Sequence, residues 1–181
     1  KRMAQGVPAA ACSESAVRRM WWAALDTLQS DILLPMNLSR GLWLSSPLPA
    51  LYEPKLLKQF QGWVWSPKDL LSLTSPSIGI LPPSQSTSID VSEISCNSSS
   101  YERLTLLEED GNDPLLIVIT PEIQISLALE GKSDERKLLM RSDPETLSDL
   151  LTLLDNRLNM ENIEQANTLR NALGEMGQLK T

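Results

Sequence analysis

The sequence predicts an α+β fold in which an antiparallel β-sheet is flanked by helices and followed by a C-terminal amphipathic helix pair. Leu115–Ile119 is a continuous apolar run, the pattern of a strand covered on both faces. Ile123–Leu129 alternates apolar residues with polar or small ones, which is typical of a strand with one face on a core. Leucines then recur at steps of three and four from Leu147 to Leu158, as in an amphipathic helix.

The N-terminal part of the chain predicts a tail followed by a helix. Residues 1–12 show no periodicity, so we expect a disordered or extended tail. Ser13 is suited to cap a helix that runs to about Leu34, because Pro35 forces the residue before it out of helical geometry. The predicted apolar stripe of this helix, with Trp22 beside it, comprises Val17, Met20, Trp21, Ala24, Leu25, Leu28 and Ile32.

Two extended runs, a short helix and a long loop come next. Leu38–Leu44 is expected to be extended, and a helix that starts at Pro54 is expected to end at Gly62. Trp63-Val64-Trp65 places two indoles on the same face of an extended segment. Residues 82–100 are rich in Ser and Pro and poor in apolar side chains, so we expect a long loop inside one domain that spans residues 13–158.

Two further strands complete the predicted sheet. Tyr101–Leu107 and Lys137–Met140 have the length and composition of strands and are expected to join the two central ones. Glu108–Asp113 carries four carboxylates, but their spacing does not match that of an EF-hand calcium loop. We therefore expect a solvated hairpin turn there.

A capping signal marks the start of the predicted C-terminal helices. Ser142 as N-cap with Glu145 three residues later forms a capping box, and the proline between them suits the first helical turn. The first helix is expected over 143–158. A second amphipathic pattern over 162–176 predicts another helix, within a C-terminal helical extension at 159–181.

Composition restricts the class of partner. The 181 residues contain 16 Lys and Arg against 23 Asp and Glu, a net charge of −7, and such an acidic balance argues against nucleic-acid binding. No apolar stretch approaches the roughly 20 residues of a membrane span. Cys12 and Cys96 are two lone thiols, which favour a reducing compartment over a disulfide. A cytoplasmic or plastid stromal location is expected.

The chemistry of catalysis is missing from the sequence. The chain has no histidine, which excludes a Ser-His-Asp triad, a Cys-His pair and imidazole metal ligands within these residues. Neither a zinc-binding spacing of cysteines nor a glycine-rich phosphate loop occurs. We therefore expect no catalytic residue, no metal and no cofactor, and take binding or signalling as the default.

Aromatic and leucine side chains are the candidate contacts to a partner. Trp63 and Trp65 have three interpretations: a stacking platform for a planar ligand, a partner surface, or core or interface packing, which we favour for large amphipathic rings. A nucleic-acid platform would need a basic groove beside the rings, which the sequence does not supply. The candidate partner-binding residues are Trp21, Trp22, Trp63, Trp65, Leu169 and Leu173.

Residues Leu115–Leu158 resemble the C-terminal half of DICT-type sensory domains, which occur beside histidine kinase and diguanylate cyclase modules, especially in cyanobacterial two-component proteins. The matching features are the apolar strand, Thr120-Pro121-Glu122, the alternating strand, and the helix that opens Ser142-Asp143-Pro144-Glu145 and ends Asn156-Arg157-Leu158. The resemblance implies a GAF- or PAS-like sensor whose final helix passes a signal to the next module. The Ser-rich loop would also suit a plastid-derived relative.

Two functional hypotheses follow, from different classes. The first is a non-catalytic sensory or regulatory module of a signalling system whose partner is a kinase, a response regulator or a complex subunit, with a homodimer as a further option. The second is a structural or assembly subunit of a larger complex that uses Trp21, Trp22, Trp63 and Trp65 as interface anchors. An enzyme is the third class, disfavoured because the usual constellations are missing.

Overall fold

The computed structural model describes residues 13–68, 101–132 and 135–177. The tail predicted over residues 1–12 and the loop predicted over 82–100 lie outside these ranges, as do both cysteines. The helical elements are α1 (Glu14–Thr27), a π-helical turn (Leu28–Leu33), α2 (Leu34–Met36), α3 (Pro54–Gln59), a 3-10 turn (Glu108–Asp110), α4 (Pro144–Glu161) and α5 (Ile163–Gly177). The strands are β1 (Gly41–Ser46), β2 (Phe60–Ser66), β3 (Glu102–Thr105), β4 (Leu115–Ile119), β5 (Gln124–Glu130) and β6 (Lys137–Arg141).

The strands form one mixed sheet in the order β3-β2-β1-β4-β5-β6. The α+β class and the C-terminal helix pair are confirmed, and β4, β5 and β6 pair antiparallel as predicted. The sheet is not antiparallel throughout, however, because β1 pairs parallel with β2 and β2 pairs parallel with β3. The strand predicted over Tyr101–Leu107 therefore lies at the far edge instead of beside β4. Parallel pairing needs a crossover of a dozen or more residues, and the chain between Ser66 and Glu102 is long enough for one.

Helices cover both faces of the sheet and create two core clusters. On β4, Leu116 and Val118 point to one face, whereas Ile117 and Ile119 point to the other. This two-sided burial explains why the strand is apolar at every position. The first cluster combines α1 and α3 with the sheet and includes Val17, Trp21, Leu25, Leu56, Val64, Leu116, Val118 and Leu127. The second lies under α4 and α5 and includes Leu42, Leu44, Trp63, Trp65, Ile117, Leu147, Leu158, Ala166 and Leu169.

The N-terminal helix departs from the predicted pattern at its C-terminal end. A π-helical turn replaces α-helix over Leu28–Leu33. Its wider turn shifts the buried stripe by one position, so that Leu33 is fully buried and Ile32 only partly. Met20, predicted on the apolar stripe, is 44% exposed. The uniform helical spacing was therefore wrong at Met20 and overestimated the burial of Ile32, but it placed Leu28 correctly, since that residue is 2% exposed.

The start of α4 is one residue later than the capping box predicts. Asp143, not Ser142, is the N-cap: its Oδ2 accepts a hydrogen bond from the Thr146 N–H at 3.0 Å. Arg141 Nε donates to Asp143 Oδ1 at 2.7 Å. Hydrogen bonds from Arg141 and Thr146 hold the pKa of the Asp143 carboxyl well below its usual range. Because Arg141 and the Thr146 N–H both donate to the Asp143 carboxylate, this carboxylate caps the helix in place of the Ser142 hydroxyl.

Candidate functional site

The predicted tryptophans divide between core and surface. Trp63 and Trp65 do share a face, as the period-two pattern predicts, and both are buried beneath α4 and α5. Trp63 Nε1 donates to Gln165 Oε1 at 3.0 Å, which links β2 to α5. Trp21 is buried on the opposite face, and Trp22 is 43% exposed.

The predicted leucines of α5 also face the chain's own core. Leu169 is fully buried, and Leu173 is half-buried against the same cluster as Trp63. The helix expected to extend from the domain therefore helps to close one face of the sheet. Of the six candidate partner-binding residues, Trp22 is the one that the fold leaves exposed to a partner.

Three other apolar residues of the C-terminal helices are exposed, and we call them the outer stripe: Leu153, Met160 and Ile163. Their side chains are 59%, 84% and 63% exposed. Leu153 and Met160 are seven residues apart on α4, so both lie on the same side of that helix. Ile163 follows as the first residue of α5. Met160 and Ile163 belong to the apolar pattern that predicts the second C-terminal helix, and that pattern was wrong to place them with its buried members Ala166 and Leu169. Leu153 lies outside the leucine steps of α4.

Ion pairs hold the helices that carry the outer stripe. Arg157 on α4 donates from Nη2 to Thr105 O at 3.0 Å and to Asp110 Oδ2 at 3.1 Å. Arg170 on α5 donates from Nη2 to Asp155 Oδ2 on α4 at 2.8 Å. Burial raises the pKa of Asp110, but the hydrogen bonds from Arg157 and the Leu107 N–H outweigh it and leave that pKa lowered. These contacts hold α4 against the end of β3 and hold α5 against α4.

The two helices that carry the outer stripe are acidic. They hold two guanidinium groups, Arg157 and Arg170, and both are paired with carboxylates. The carboxylates of the same helices are Glu145, Asp149, Asp155, Glu161, Glu164 and Glu175. The stripe is therefore an apolar surface set in a negative surround.

A groove of about 930 Å³ opens at the end of the sheet where the three parallel strands begin. Its lining comes from the beginnings of β1, β2 and β3 with the residues just before them, from α3, and from the end of α5. Its apolar lining includes Pro54, Leu57, Phe60 and Met176. Its charged and amide side chains are Arg40, Lys58, Gln59, Gln61, Arg103 and Glu175.

A row of aromatic side chains supports one wall of this groove. Trp43, Gly62 and Tyr101 stand side by side on β1, on β2 and at the start of β3. The Trp43 indole lies over Gly62, and its ring meets Tyr101 edge-on with centroids 5.4 Å apart. The guanidinium of Arg103 lies 5.6 Å above the Tyr101 ring. Gly62 was predicted to end a helix, but it lies inside β2. A glycine is needed at this position because a Cβ would clash with the Trp43 indole.

Membrane-spanning helices and metal-binding clusters are both absent from the part of the chain that the structure describes. In residues 13–68, 101–132 and 135–177, no helix is both long and apolar enough to cross a membrane. In that same part of the chain, no three Cys, Asp or Glu side chains are grouped so as to hold a metal ion.

Comparison with known proteins identifies the family of the chain, and the function of that family is described as unknown. The family described as a domain of unknown function (DUF8628) matches residues 1–181, so the chain belongs to it. No curated protein and no solved structure matches the chain.

Proposed function

We propose that this member of a family of unknown function is a non-catalytic regulatory module that binds a partner protein through the outer stripe. The observation that carries the proposal is the exposure of Leu153, Met160 and Ile163 along the C-terminal helix pair. Covering large apolar side chains removes unfavourable contact with water. Single exposed apolar residues are ordinary on a protein surface, but three large ones close together in the sequence of the C-terminal helix pair favour a binding site.

Charge defines the chemistry of the partner. The stripe is apolar and its surround carries an excess of carboxylates. A complementary surface presents apolar side chains surrounded by lysine or arginine. The positive charge of these residues also raises the association rate with an acidic protein. The partner we propose is therefore a protein with a basic, apolar docking face.

The resemblance to DICT-type domains supports a place in signalling. The helix of that resemblance, which ends at Leu158, is the helix that carries Leu153. In such sensory domains the final helix passes the signal onward, so a kinase or a response regulator is the partner class that the resemblance implies. The cytoplasm or a plastid stroma is the compartment that fits this role.

The alternative, a structural or assembly subunit, has less support. It uses Trp21, Trp22, Trp63 and Trp65 as interface anchors, and three of these indoles are buried within the chain itself, whereas Trp22 is 43% exposed. A side chain that already packs in its own core cannot fill a pocket on another protein without unfolding.

Affinity capture with matched variants tests the proposal. The tagged chain is incubated with an extract of its source, and bound proteins are identified by mass spectrometry. The stripe variant carries Leu153→Ser, Met160→Ser and Ile163→Ser. The control carries Met20→Ser, Leu48→Ser and Met140→Ser, which remove exposed apolar side chains elsewhere.

We expect the wild-type chain and the control to capture the same protein, and the stripe variant to capture at least about tenfold less of it. Equal capture by all three chains would contradict the proposal. Light scattering on the pure protein supplies a second arm. A dimer that the stripe variant abolishes would assign the stripe to a second copy of the chain and overturn the proposed partner.

A further inference from the structure

We infer that the groove at the start of the three parallel strands binds a small organic anion, with a phosphate or carboxylate group on an apolar body. This inference goes beyond the proposed partner and does not depend on it, since the groove and the outer stripe share no residue.

Cations without carboxylate partners point to an anionic ligand. Arg40 and Lys58 make no hydrogen bond or ion pair with any described residue, and Arg103 makes only its contact with the Tyr101 ring. Five other arginines of the chain do pair with carboxylates: Arg18, Arg136, Arg141, Arg157 and Arg170. In a chain of net charge −7, three cations left together at one groove give a local positive field.

The shape and lining of the groove suit a small molecule with an apolar part. Its volume of about 930 Å³ falls in the range of small-molecule sites, which are mostly apolar with a few polar groups that fix orientation. Leu57, Phe60 and Met176 offer the apolar surface, and the amides of Gln59 and Gln61 offer neutral hydrogen bonds. Glu175 is the one carboxylate among the lining residues, so the charged groups there remain positive in sum.

Arg103 is the side chain best placed to bind the anion. The Tyr101 ring beneath its guanidinium, itself supported by Trp43, restricts the arginine through a cation–π contact. A guanidinium held in this way still offers its N–H groups for paired hydrogen bonds to a phosphate or a carboxylate. Arg40 and Lys58 would then neutralise the remaining negative charge.

Titration of the purified full chain with two anions tests the inference. Adenosine 5′-monophosphate and octanoate are the probes, and adenosine and octanamide are their neutral counterparts. Backbone amide NMR shifts report where each compound binds. The groove variant carries Arg40→Gln, Lys58→Gln and Arg103→Gln; the control carries Arg19→Gln, Lys68→Gln and Lys132→Gln, which remove three exposed cations elsewhere.

We expect saturable shifts at Gly41, Gln61 and Arg103 with at least one anion and much weaker shifts with its neutral counterpart. A response to the nucleotide alone identifies a phosphate ester as the ligand type, and a response to octanoate alone identifies a carboxylate. The groove variant should bind the anion at least about tenfold more weakly, because hydrogen bonds to charged groups are among the strongest. The control should bind as the wild type does.

Three results would each overturn the inference. The first is that neither anion shifts the groove amides at millimolar concentration. The second is that the neutral compounds bind equally well. The third is that the groove variant binds like the wild type. Amide shifts of the central strands confirm in each case that the variant is folded.

Discussion

At the scale of single residues, Gly62 determines where two aromatic rings lie. A Cβ built at residue 62 would be 2.5 Å from Trp43 Nε1, well inside van der Waals contact. The missing side chain lets the indole cross β2 and reach Tyr101, which in turn supports Arg103 at the groove. A local sequence pattern treats this glycine as a helix terminator, because the indole that it accommodates comes from another strand.

Gly62→Ala is therefore expected to lower the free energy of unfolding by about 1–3 kcal/mol, the cost of overpacking a buried site. Urea unfolding followed by tryptophan fluorescence measures the effect. Gly174→Ala is the matched control, since a Cβ at residue 174 would meet nothing within 4 Å. Because Gly174 lies in the last turn of α5, that change should leave the free energy of unfolding unchanged or raise it by up to about 1 kcal/mol. Equal effects of the two substitutions would refute the packing argument.

Gln29 is a second residue whose role no local pattern could indicate. It is 1% exposed within the π-helical turn, and its Oε1 accepts hydrogen bonds from the backbone N–H groups of Tyr52 and Glu53 at 2.9 and 3.1 Å. Its Nε2 donates to Leu25 O at 3.2 Å. The amide thus satisfies backbone donors at the start of α3, more than twenty positions along the chain, and the wider helical turn is what places it there.

At the scale of elements, the carboxylate at the start of α4 is expected to make stability sensitive to acid. Hydrogen bonds from Arg141 and Thr146 depress the pKa of Asp143 in the folded chain. A depressed folded pKa means that the unfolded chain binds the proton more readily. The carboxylate therefore contributes stability at neutral pH, and this contribution is lost as the pH falls below the unfolded value of about 4 towards the folded one.

Asp143→Asn tests this at a single position. The amide oxygen still caps the helix, but the ion pair with Arg141 is lost, so the variant should be less stable than the wild type at neutral pH. The difference should shrink as the pH is lowered from about 5 to about 2, because the wild-type carboxylate becomes protonated. Urea midpoints across this range measure it. A difference that stays constant with pH would contradict the ion-pair account.

Local periodicity predicted the elements better than their pairing. The continuous apolar run of β4, the alternation of β5 and the leucine steps of α4 are each encoded within a few residues, and all three elements form. The parallel partnership of β2 with β3 depends on segments separated by the chain between Ser66 and Glu102, which no short pattern specifies. The groove was likewise missed, because its lining comes from four separate segments.

At the scale of the whole molecule, α5 joins the two proposed sites. Its first residue, Ile163, belongs to the outer stripe, and Met176 near its end lines the groove. A helix of this length spans roughly 20 Å. Between these ends Ala166 and Leu169 are fully buried against the sheet. The helix is therefore part of the fold's core as well as a support for both surfaces.

Leu169→Ala is expected to reduce the free energy of unfolding of the whole chain by about 2–5 kcal/mol, as for other buried leucines. Fluorescence of the buried tryptophans and far-UV circular dichroism should report the same transition if α5 unfolds with the sheet. Leu153→Ala, at an exposed position of α4, should change stability by no more than about 0.5 kcal/mol. Separate transitions would show that α5 is independent of the sheet.

The most direct test of the central claim is photo-crosslinking from the outer stripe. A benzophenone amino acid is placed at position 160 in one chain and at position 140 in another; both native methionines are well exposed, the second on the edge strand β6. The account predicts that position 160 traps the protein found by affinity capture and that position 140 does not. Trapping of that protein only from position 140, or equally from both, would contradict the claim that the outer stripe binds the partner.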